Sequence, residues 1–561
     1  MSPDTTPLTD WLDRFFASYH AHRPVNGTFI GWHHLDHRLP DLSEDGAGDA
    51  LADMEALLVE ADGLPTDGAT DAELLDLRLA RGFLRIQSWE YGSLHFWRGN
   101  PCVYTGEAVF GLMSLFLSDF APLAERVASA EARLQAVPTL LASARENVRH
   151  APREWTERAI RECRGALAFL RRGLPAHLSR QGVDRGGLEE ALDVAARAFS
   201  GFRDWMETDL APRPADHHAC GEEALALYAS EGHFLSQEPD EIVSYAREQM
   251  HDAARTLAGR ARELGYPDVE SGLGALAEDH PSVKEYYGAY QATWDQMRSA
   301  AEAHHLVSWP DFPIRFVPRP DWAREAAPDL YFLHYRSPAA FGRPPEHDYL
   351  VTPIDDSLPP EEQERLLRAT NDSVIKLNHV IHHGGIGHHL QNWHAFRAPS
   401  RIGQVAAVDC ASRIAMFCGG TMAEGWACYA TDLMAEFGAL TPLEHLAELA
   451  SRIRMCCRAV VDVELHRGRM SVDEATTLYE REAGMSGAAA RSEAVKNSMF
   501  PGAALMYLMG TDALHDLRRQ RRDRLGADFS LRDFHDQLLA YGSVPVSLIA
   551  EDMNRRASDG A

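Results

Sequence analysis

Residues 361–394, EEQERLLRATNDSVIKLNHVIHHGGIGHHLQNWH, decide both the fold class and the place where chemistry is expected. The run Pro-Pro-Glu-Glu at 359–362 is typical of a helix start, so a helix is predicted from there to the first histidines. Three glycines at 384, 385 and 387 then interrupt the pattern, because glycine is unfavourable inside helices and supports bends. The sequence therefore predicts a helix that breaks within a histidine cluster.

Helical spacing of apolar residues also covers most of the remaining chain, with proline and glycine between the blocks. We therefore expect a mainly α fold, a large two-lobed helical protein that forms one structural unit. The N-terminal helical lobe is predicted over residues 1–270 and the C-terminal lobe, with the histidine cluster, over 271–561. The predicted helices are 8–22, 49–63, 71–95, 121–150, 153–174, 187–209, 239–264, 404–437, 442–468, 471–483, 487–496, 501–519 and 531–541.

The amino-acid composition changes between residues 306 and 357. Three short stretches there are aromatic and β-branched and are broken by prolines: LVSWPDFPIRFVPRP (306–320), DLYFLHYR (329–336) and DYLVTPI (348–354). This composition predicts a small β-sheet within the helical protein. We expect the sheet to line a cleft between the lobes and to hold an extended substrate by strand addition.

Composition and charge exclude several classes of function. The 561 residues include 55 Lys and Arg against 83 Asp and Glu, a formal net charge of −28, which argues against nucleic-acid and anionic-membrane partners. The eight cysteines are scattered, without a Cys-x-x-Cys pair, so a reducing cytoplasm is the expected compartment. No signal peptide is predicted from the N-terminal stretch, and no apolar run reaches the roughly 18–20 residues that span a bilayer.

Six of the 27 histidines fall within residues 379–394, and neutral imidazole is the commonest metal ligand in proteins. His379 and His383 have the one-turn spacing that places two side chains on the same side of a helix. His382 and His388 lie about 120° apart on an unbroken helix, but a break at the glycines brings His388 back towards His382. The alternative is that these histidines are ordinary polar or core residues.

A third ligand is expected to be a carboxylate, the usual complement to two histidines in catalytic zinc sites. Glu424 is the candidate, because it lies within residues 406–434, AAVDCASRIAMFCGGTMAEGWACYATDLM, a stretch of small and apolar residues. Burying a carboxylate there is costly unless a partner offsets the cost, and metal coordination would do so. The alternative partner is Arg413 or another arginine, in a salt bridge.

At this point the chain resembles the bacterial domain-of-unknown-function 885 family. That family has a motif of the form His-Glu-x-x-Pro-Gly-His-His-x-Gln, followed downstream by Glu-Gly-Trp-Ala-x-Tyr. Here the two motifs read HHGGIGHHLQ at 382–391 and EGWACY at 424–429. The resemblance covers almost the whole chain and continues in HHLDHRLPDLS (33–43), DVELH (462–466), PGAALMYLMG (501–510) and FHDQLLAYGSVP (534–545).

The resemblance implies a zinc-dependent peptidase of the gluzincin kind, with Zn²⁺ held by His382, His388 and Glu424. Two positions depart from the family pattern, because His383 replaces the general-base glutamate and Ile386 replaces the proline. His383 can act as the base, since an imidazole with a pKa near 6.5 suits proton transfer at neutral pH. It can also be a fourth ligand that makes the metal structural, or the mark of a lineage with other chemistry.

Two further residues, Tyr507 and His466, resemble family positions that donate hydrogen bonds to a developing oxyanion, an interaction that contributes about 3 kcal/mol in known cases. The alternative for Tyr507 is a core tyrosine on an apolar helix. Asp462 can orient a ligand histidine, and its alternative is a salt bridge.

The expected function is therefore that of a zinc-dependent hydrolase acting on a peptide or a small amide substrate. The sequence shows no Gly-x-Gly-x-x-Gly after a strand, no phosphate-binding Gly-x-x-x-x-Gly-Lys-Ser/Thr and no Gly-x-Ser-x-Gly, so nucleotide binding and a serine nucleophile have no support. The alternatives are a non-hydrolytic protein that binds metal, peptide or a small molecule on the same scaffold, and a metal enzyme acting on a small metabolite.

Overall fold

Helices form nearly all of the regular structure, which confirms the mainly α fold. The structure, a computed structural model, describes residues 6–183, 187–330, 335–411 and 414–559. The helices of the first half are α1 (Pro7–His22), α2 (Pro24–Ile30), α3 (Glu44–Asp62), α4 (Asp71–Gly92), α5 (Pro101–Met113), α6 (Leu123–Asn147), α7 (Arg153–Ala168), α8 (Leu174–Arg180), α9 (Leu188–Trp205), α10 (Glu222–Leu227), α11 (Pro239–Glu263), α12 (Val269–Ala275) and α13 (Tyr286–Ala303).

The second half continues with shorter helices and then with the helices that surround the histidine cluster. They are α14 (Asp321–Arg324), α15 (Pro360–Ala369), α16 (Asp372–Val374), α17 (His388–Ala395), α18 (Arg401–Val405), α19 (Gly420–Glu436), α20 (Pro442–His466), α21 (Val472–Ala483), α22 (Gly487–Met499), α23 (Leu505–Leu525), α24 (Leu531–Leu539) and α25 (Val546–Asp559). Within the described residues, four segments are π-helical: Phe169–Gly173, Met206–Leu210, Tyr228–Gly232 and Ile375–Gly384.

A small parallel sheet lies inside the region where the sequence predicts one. It consists of β3 (Ile314–Pro318) and β4 (His347–Val351), which pair in register from Ile314 with His347 to Pro318 with Val351. The prediction of a sheet within 306–357 is therefore confirmed, although residues 331–334 of the middle stretch lie outside the described residues. A second parallel pair joins the two-residue strands β1 (Ala151–Pro152) and β2 (Pro214–Ala215).

Helix starts follow from local chemistry. At the start of α20 the Thr441 side chain accepts from the backbone N–H of Glu444, and the Glu444 side chain accepts from the backbone N–H of Thr441. Ser471 and Glu474 form the same reciprocal capping box at the start of α21. Because these boxes satisfy otherwise unpaired N–H groups, the predicted helices at 442–468 and 471–483 match the observed ones closely.

The prediction of one long helix over 404–437 is wrong. Helix α18 ends at Val405 and α19 begins at Gly420, with an isolated antiparallel bridge between Asp409 and Ile414 in the connection. The Asp409 carboxylate accepts from the backbone N–H and the hydroxyl of Ser337, both at 3.2 Å. Short polar side chains compete with helical hydrogen bonding in this way, and here they tie the connection to a neighbouring loop.

The helix predicted from residues 359–362 to the first histidines is not continuous either. Helix α15 ends at Ala369, and the Asn371 side chain then accepts from the backbone N–H of Val374 at 3.0 Å to cap a new start. The chain continues as the π-helical segment 375–384. π-Helical turns are rare and occur mostly at functional sites, so this segment directs attention to the histidines it carries.

The apolar core joins the two predicted lobes. One continuous cluster of buried side chains extends from Leu8 to Met553. Helix α11, from the predicted N-terminal lobe, packs along α20 of the predicted C-terminal lobe. The division at residue 270 stays a prediction.

All eight cysteines are free thiols in the structure. None of the helices in the described part of the chain is both long enough and apolar enough to cross a membrane.

Candidate metal centre

The glycine-rich turn between the π-helical segment and α17 is held by two tryptophans. The Trp294 indole N–H on α13 donates to the Gly384 carbonyl oxygen at 2.9 Å, and the Trp426 indole N–H on α19 donates to the Ile386 carbonyl oxygen at 2.7 Å. Both carbonyls are thereby satisfied within the protein interior, where an unpaired one is costly. The tryptophan of the Glu-Gly-Trp motif therefore fixes the turn that precedes His388.

Gly387 lets this turn close tightly. A Cβ atom at this position would lie 1.9 Å from the carbonyl oxygen of His382, and the backbone N–H of Gly387 donates to the Ile381 carbonyl oxygen at 2.9 Å. Only a residue without a side chain permits this approach of the two backbone segments. The turn returns the chain to His382, so the next residue, His388, lies beside it.

His382, His388 and Glu424 converge on one point. The Glu424 Oε2 atom lies 3.4 Å from His382 Nε2 and 3.5 Å from His388 Nε2. These separations exceed the about 2.7–2.9 Å of a charge-assisted hydrogen bond. Among the described residues, Glu424 Oε2 is a buried oxygen without a hydrogen-bond partner.

The spacing of these three atoms fits a zinc ion. Ligands about 2.0–2.1 Å from a tetrahedral zinc lie about 3.3–3.4 Å from one another, close to the two measured separations. Two imidazoles and one carboxylate are also the ligand set that catalytic zinc sites use. Arg413, the alternative partner for Glu424, lies outside the described residues, and in the part of the chain that is described Glu424 forms ion pairs with His382 and His388.

The electrostatics of the cluster favour a carboxylate paired with imidazole. Burial opposes its charge, but His388 and His382 hold the pKa of Glu424 well below its ordinary value. Burial likewise opposes a charged His388, whereas Glu424 raises the pKa of this histidine. Burial lowers the pKa of His382, with a smaller opposite effect from Glu424. The cluster therefore presents an anionic oxygen and imidazole nitrogens to a shared space.

His383 lies against the same cluster. One ligand nitrogen each from His382, His383 and His388 lies within 4.8 Å of the others. His383 Nδ1 lies 2.6 Å from the Asn378 carbonyl oxygen, to which it must donate, so Nε2 carries the lone pair. Burial and the two neighbouring histidines hold the pKa of His383 well below its ordinary value. A neutral ring with Nε2 free serves either as a metal ligand or as a proton acceptor.

The remaining histidines of the cluster point elsewhere. The His379 Nδ1 atom lies 2.6 Å from the Tyr349 hydroxyl on β4, and His389 Nε2 donates to the Phe312 carbonyl oxygen at 2.8 Å. His394 is half-buried on α17 and does not line the cavity at the cluster. The one-turn pairing expected for His379 and His383 is therefore wrong, because the sheet takes up His379.

A cavity of about 590 Å³ opens onto the cluster. Its lining includes His382, His383, His388 and Glu424 together with Tyr507. The hydroxyl of Tyr507 has no hydrogen-bond partner among the described residues, and burial and Glu424 raise the pKa of this tyrosine. The structure thus brings Tyr507 to the site, with a hydroxyl that is available to donate.

A close crossing of two helices places Tyr507 there. A Cβ atom at Gly425 of α19 would lie 2.6 Å from the backbone of Gly510 on α23, and one at Gly510 would lie 2.2 Å from the Thr421 carbonyl oxygen. The two glycines, each from a motif of the family pattern, therefore let α19 and α23 touch through their backbones. Glu424 directly precedes Gly425, and Tyr507 lies one turn before Gly510.

His466 does not join the site. It is fully buried on α20, its Nε2 donates to the Asn497 carbonyl oxygen at 2.9 Å, and it does not line the cavity. The neighbouring Asp462 does not contact a cluster histidine. Its carboxylate accepts the backbone N–H groups of Gly502, Ala504 and Leu505 and so anchors the start of α23. Asp462 therefore supports the helix that carries Tyr507.

The small sheet supports the histidine cluster from the side away from the cavity. No residue of β3 or β4 lines the cavity, so the strands do not form the substrate edge that we expected. Tyr349 of β4 instead contacts His379 of the π-helical segment. His535 of the FHDQ motif connects α19 to the chain before β3, because it accepts from the Tyr429 hydroxyl and donates to the Leu306 carbonyl oxygen.

Several cavity residues escaped the sequence analysis. They include Tyr335, whose ring stacks 6.2 Å from that of His388, Asp409, and the cations Arg23, Arg336, Arg454, Arg458 and Lys496. Burial raises the pKa of Asp409, with opposing effects from Arg336 and His388. The one-turn spacing of Arg454 and Arg458 is only a weak indication that they line a site, since the same spacing is typical of an ordinary solvated helix face.

Replacing Trp426 with phenylalanine is expected to lower the free energy of unfolding by at least about 1–3 kcal/mol, because the Ile386 carbonyl oxygen loses its buried donor. Urea denaturation followed by circular dichroism measures the change. Trp393→Phe is the control, since this half-buried indole N–H has no hydrogen-bond partner among the described residues. Equal stability of the two variants would contradict a supporting role for the Trp426 hydrogen bond.

Comparison with known proteins identifies the family. The family described as "Bacterial protein of unknown function (DUF885)" matches residues 24–553, and the chain belongs to it. No curated protein matches the chain. The resemblance expected from the sequence motifs is thereby confirmed at the level of the family.

Two solved structures share the fold. A candidate lipoprotein of unknown function from Shewanella oneidensis superposes with a TM-score of 0.76 at 21% sequence identity, over 98% of this chain and 100% of that one. A candidate lipoprotein from Colwellia psychrerythraea gives a TM-score of 0.75 at 15% identity, over 99% of this chain and 100% of that one. At these identities the likeness establishes the architecture alone.

Proposed function

We propose that this protein is a zinc-dependent hydrolase of peptide or small amide bonds. The observation that carries the proposal is the convergence of Glu424 Oε2 with His382 Nε2 and His388 Nε2 at 3.4 and 3.5 Å, around an oxygen that lacks a hydrogen-bond partner among the described residues. Zinc at such a site supplies Lewis-acid chemistry, since it polarises a carbonyl oxygen and makes water more acidic. The family motifs support the same ligand set.

The side chains around the three ligands support hydrolysis. His383 lines the same cavity and has an unprotonated Nε2, because its Nδ1–H donates to the Asn378 carbonyl oxygen. In this proposal His383 receives a proton at Nε2, in the place of the glutamate of the family motif. Tyr507 donates its hydroxyl to the oxygen on which negative charge develops. The cavity of about 590 Å³ has the size of sites that bind small ligands and short peptides.

The partner in this proposal is a peptide or a small amide, with no role for nucleic acid or membrane. We also propose a cytoplasmic location, which is consistent with eight free thiols in the structure. The names of the two structural neighbours leave this location open.

The observation that favours a second candidate is the proximity of three imidazoles. Ligand nitrogens of His382, His383 and His388 lie within 4.8 Å of one another, so His383 can complete the coordination shell as a fourth ligand. A closed four-ligand site holds a structural metal. The protein would then be a metal-containing protein that binds a peptide or small molecule without turnover. A metal enzyme of a small metabolite is the third reading.

Substitution of His383 separates the candidates. With zinc content and peptide-library hydrolysis measured on protein purified without an affinity tag, His383→Ala is expected to lower kcat by about 10²–10⁴-fold while zinc content stays unchanged. His304→Ala, which alters an exposed histidine outside the cavity, is expected to leave both quantities unchanged.

Two outcomes would favour the closed site instead. A wild-type protein that hydrolyses no peptide, together with a His383→Glu variant that gains activity, would support the binding protein. A loss of zinc in His383→Ala would assign this histidine to the ligands. Activity on a small metabolite, without hydrolysis of peptides or small amides, would support the third candidate.

A further inference from the structure

One wall of the cavity carries three cations. Arg454 and Arg458 lie one turn apart on α20, and Lys496 lies on α22. We call these three residues the cationic wall. The chain as a whole has a formal net charge of −28 and contains only three lysines, so a concentration of positive charge inside this cavity is unexpected from composition.

Among the described residues, Arg458 of the cationic wall pairs with a carboxylate. Glu493 on α22 lies 2.6 Å from Arg458 Nε and does not line the cavity. Burial opposes its charge, but the surrounding cations, Arg458 first, lower the pKa of Glu493 to about 2. Glu493 therefore offsets the charge of Arg458, and this carboxylate lies behind the cavity surface.

Arg454 is the cation that has no partner of its own. It lines the cavity and is exposed, and it forms no hydrogen bond or ion pair with any described residue. Its neighbour Arg452, which points out of the cavity, is paired with Asp512 at 2.5 Å. In a chain with 83 acidic residues, a guanidinium that lines a cavity and pairs with no carboxylate of the described residues is a site that an anion from outside can complete.

The carboxylates that share the cavity do not meet this need. Asp409 accepts from Ser337, Glu424 belongs to the candidate metal centre, and Glu90 accepts from the Tyr228 hydroxyl at 2.7 Å. Glu448, on the same helix as Arg454, lies 3.3 Å from His445, and burial raises the pKa of Glu448 to about 9, with a further effect from Asp432. Glu448 thus interacts with His445 and Asp432, and it forms no ion pair with Arg454.

The cationic wall adjoins the candidate metal centre. The Arg458 guanidinium lies 4.1 Å from the centroid of the Tyr507 ring, and it is among the charges that affect His382. Arg454 is one turn farther along α20, near Cys428, which in turn follows Glu424 by one turn of α19. One helical turn rises about 5.4 Å, and an extended peptide advances about 3.5 Å per residue.

We propose that the cationic wall binds a carboxylate of the substrate, within about two residues of the bond that is cleaved, and that the substrates are therefore acidic peptides or amides. The inference rests on the proposed hydrolase function. The carboxylate is either the C-terminal group of a short peptide or an acidic side chain. Both sources present the planar, charged group that a guanidinium fork recognises.

Binding measurements test the inference separately from turnover. The probes are acetyl-Ala-Ala-Ala with a free C-terminus, acetyl-Ala-Glu-Ala-amide with only a side-chain carboxylate, and acetyl-Ala-Ala-Ala-amide with none. Calorimetry is performed on the protein as purified and after metal removal by a chelator, so that hydrolysis does not interfere. We expect the wild type to bind at least one acidic probe more tightly than the uncharged one.

Arg454→Met is expected to weaken binding of that acidic probe by about 10–100-fold and to leave the uncharged probe within about twofold, because charged hydrogen bonds are lost. Arg454→Lys should retain part of the affinity, and Lys496→Met should show a smaller loss. Arg255→Met, on the exposed face of α11, is the matched control and should bind like the wild type. The acidic probe that loses affinity identifies the source of the carboxylate.

Equal binding of all three probes by the wild type would overturn the inference, and so would unchanged binding of the acidic probes by Arg454→Met. Failure of the hydrolase proposal gives a different result. In that case no probe is cleaved, yet binding of the acidic probe still depends on Arg454. The two proposals are therefore tested by separate readouts.

Discussion

Replacing His388 with alanine is expected to weaken zinc binding by more than about 100-fold. Substitution of a residue that only supports a metal ligand already lowers metal affinity by about 10–100-fold. The variant removes one of the two nitrogens that lie 3.4–3.5 Å from Glu424 Oε2. Glu424→Gln should have a similar effect, since it removes the anionic charge with little change in shape. Metal content by mass spectrometry and competition with a chelator measure the loss.

The matched control is His394→Ala. His394 lies on the same helix, α17, but outside the cavity, so the variant should retain zinc at the wild-type level. Circular dichroism of all three variants separates a lost ligand from a lost fold. Zinc retained undiminished by both His388→Ala and Glu424→Gln would remove the proposed ligand set.

Replacing Tyr507 with phenylalanine is expected to lower kcat by about 10²–10³-fold with little change in KM, since a single donor to a developing oxyanion contributes about 3–4 kcal/mol. Tyr507 lines the cavity, and its hydroxyl has no hydrogen-bond partner among the described residues, so the change leaves no partner unsatisfied. Zinc content and stability should stay at the wild-type values. Steady-state kinetics on any peptide that the wild type cleaves measure the effect.

Tyr541→Phe serves as the control for this prediction. Its hydroxyl donates to Asp552, away from the cavity at the histidine cluster, so the variant should keep the wild-type kcat. A Tyr507→Phe enzyme with unchanged kcat would assign this tyrosine to packing, where its ring already lies under the Arg458 guanidinium.

Local signals in the sequence predict the helices better than they predict the site. The capping boxes at Thr441 and Ser471 are complete within four residues, so α20 and α21 can be read from the sequence alone. The break before α19 cannot, because it depends on the hydrogen bonds between Asp409 and Ser337, which are distant in sequence. The small sheet was predictable from composition, but its position behind the histidines was not.

The same contrast holds for the candidate site, where local motifs predict some residues and contacts between distant residues determine the others. The histidine and Glu-Gly-Trp motifs identify His382, His388 and Glu424 as candidates, and the structure places these three side chains together. Helical spacing alone pairs His379 with His383, since it does not account for a π-helical segment that turns His379 towards Tyr349. Arg454 was missed because nothing in the sequence shows that a helical arginine faces a cavity and has no acidic partner.

Because the cationic wall lies in a cavity, the approach of an anion and its binding are two different electrostatic events. At a distance, an anion meets the field of a chain with formal charge −28, which repels it. Attraction by Arg454 and its neighbours extends over little more than the screening length of about 8 Å at physiological ionic strength, so it acts only on a group that has already entered. Added salt should therefore speed the first encounter while it weakens the final contact. We therefore expect such a cleft to select small molecules with a single carboxylate and to reject polyanions whose remaining charge stays outside the cavity.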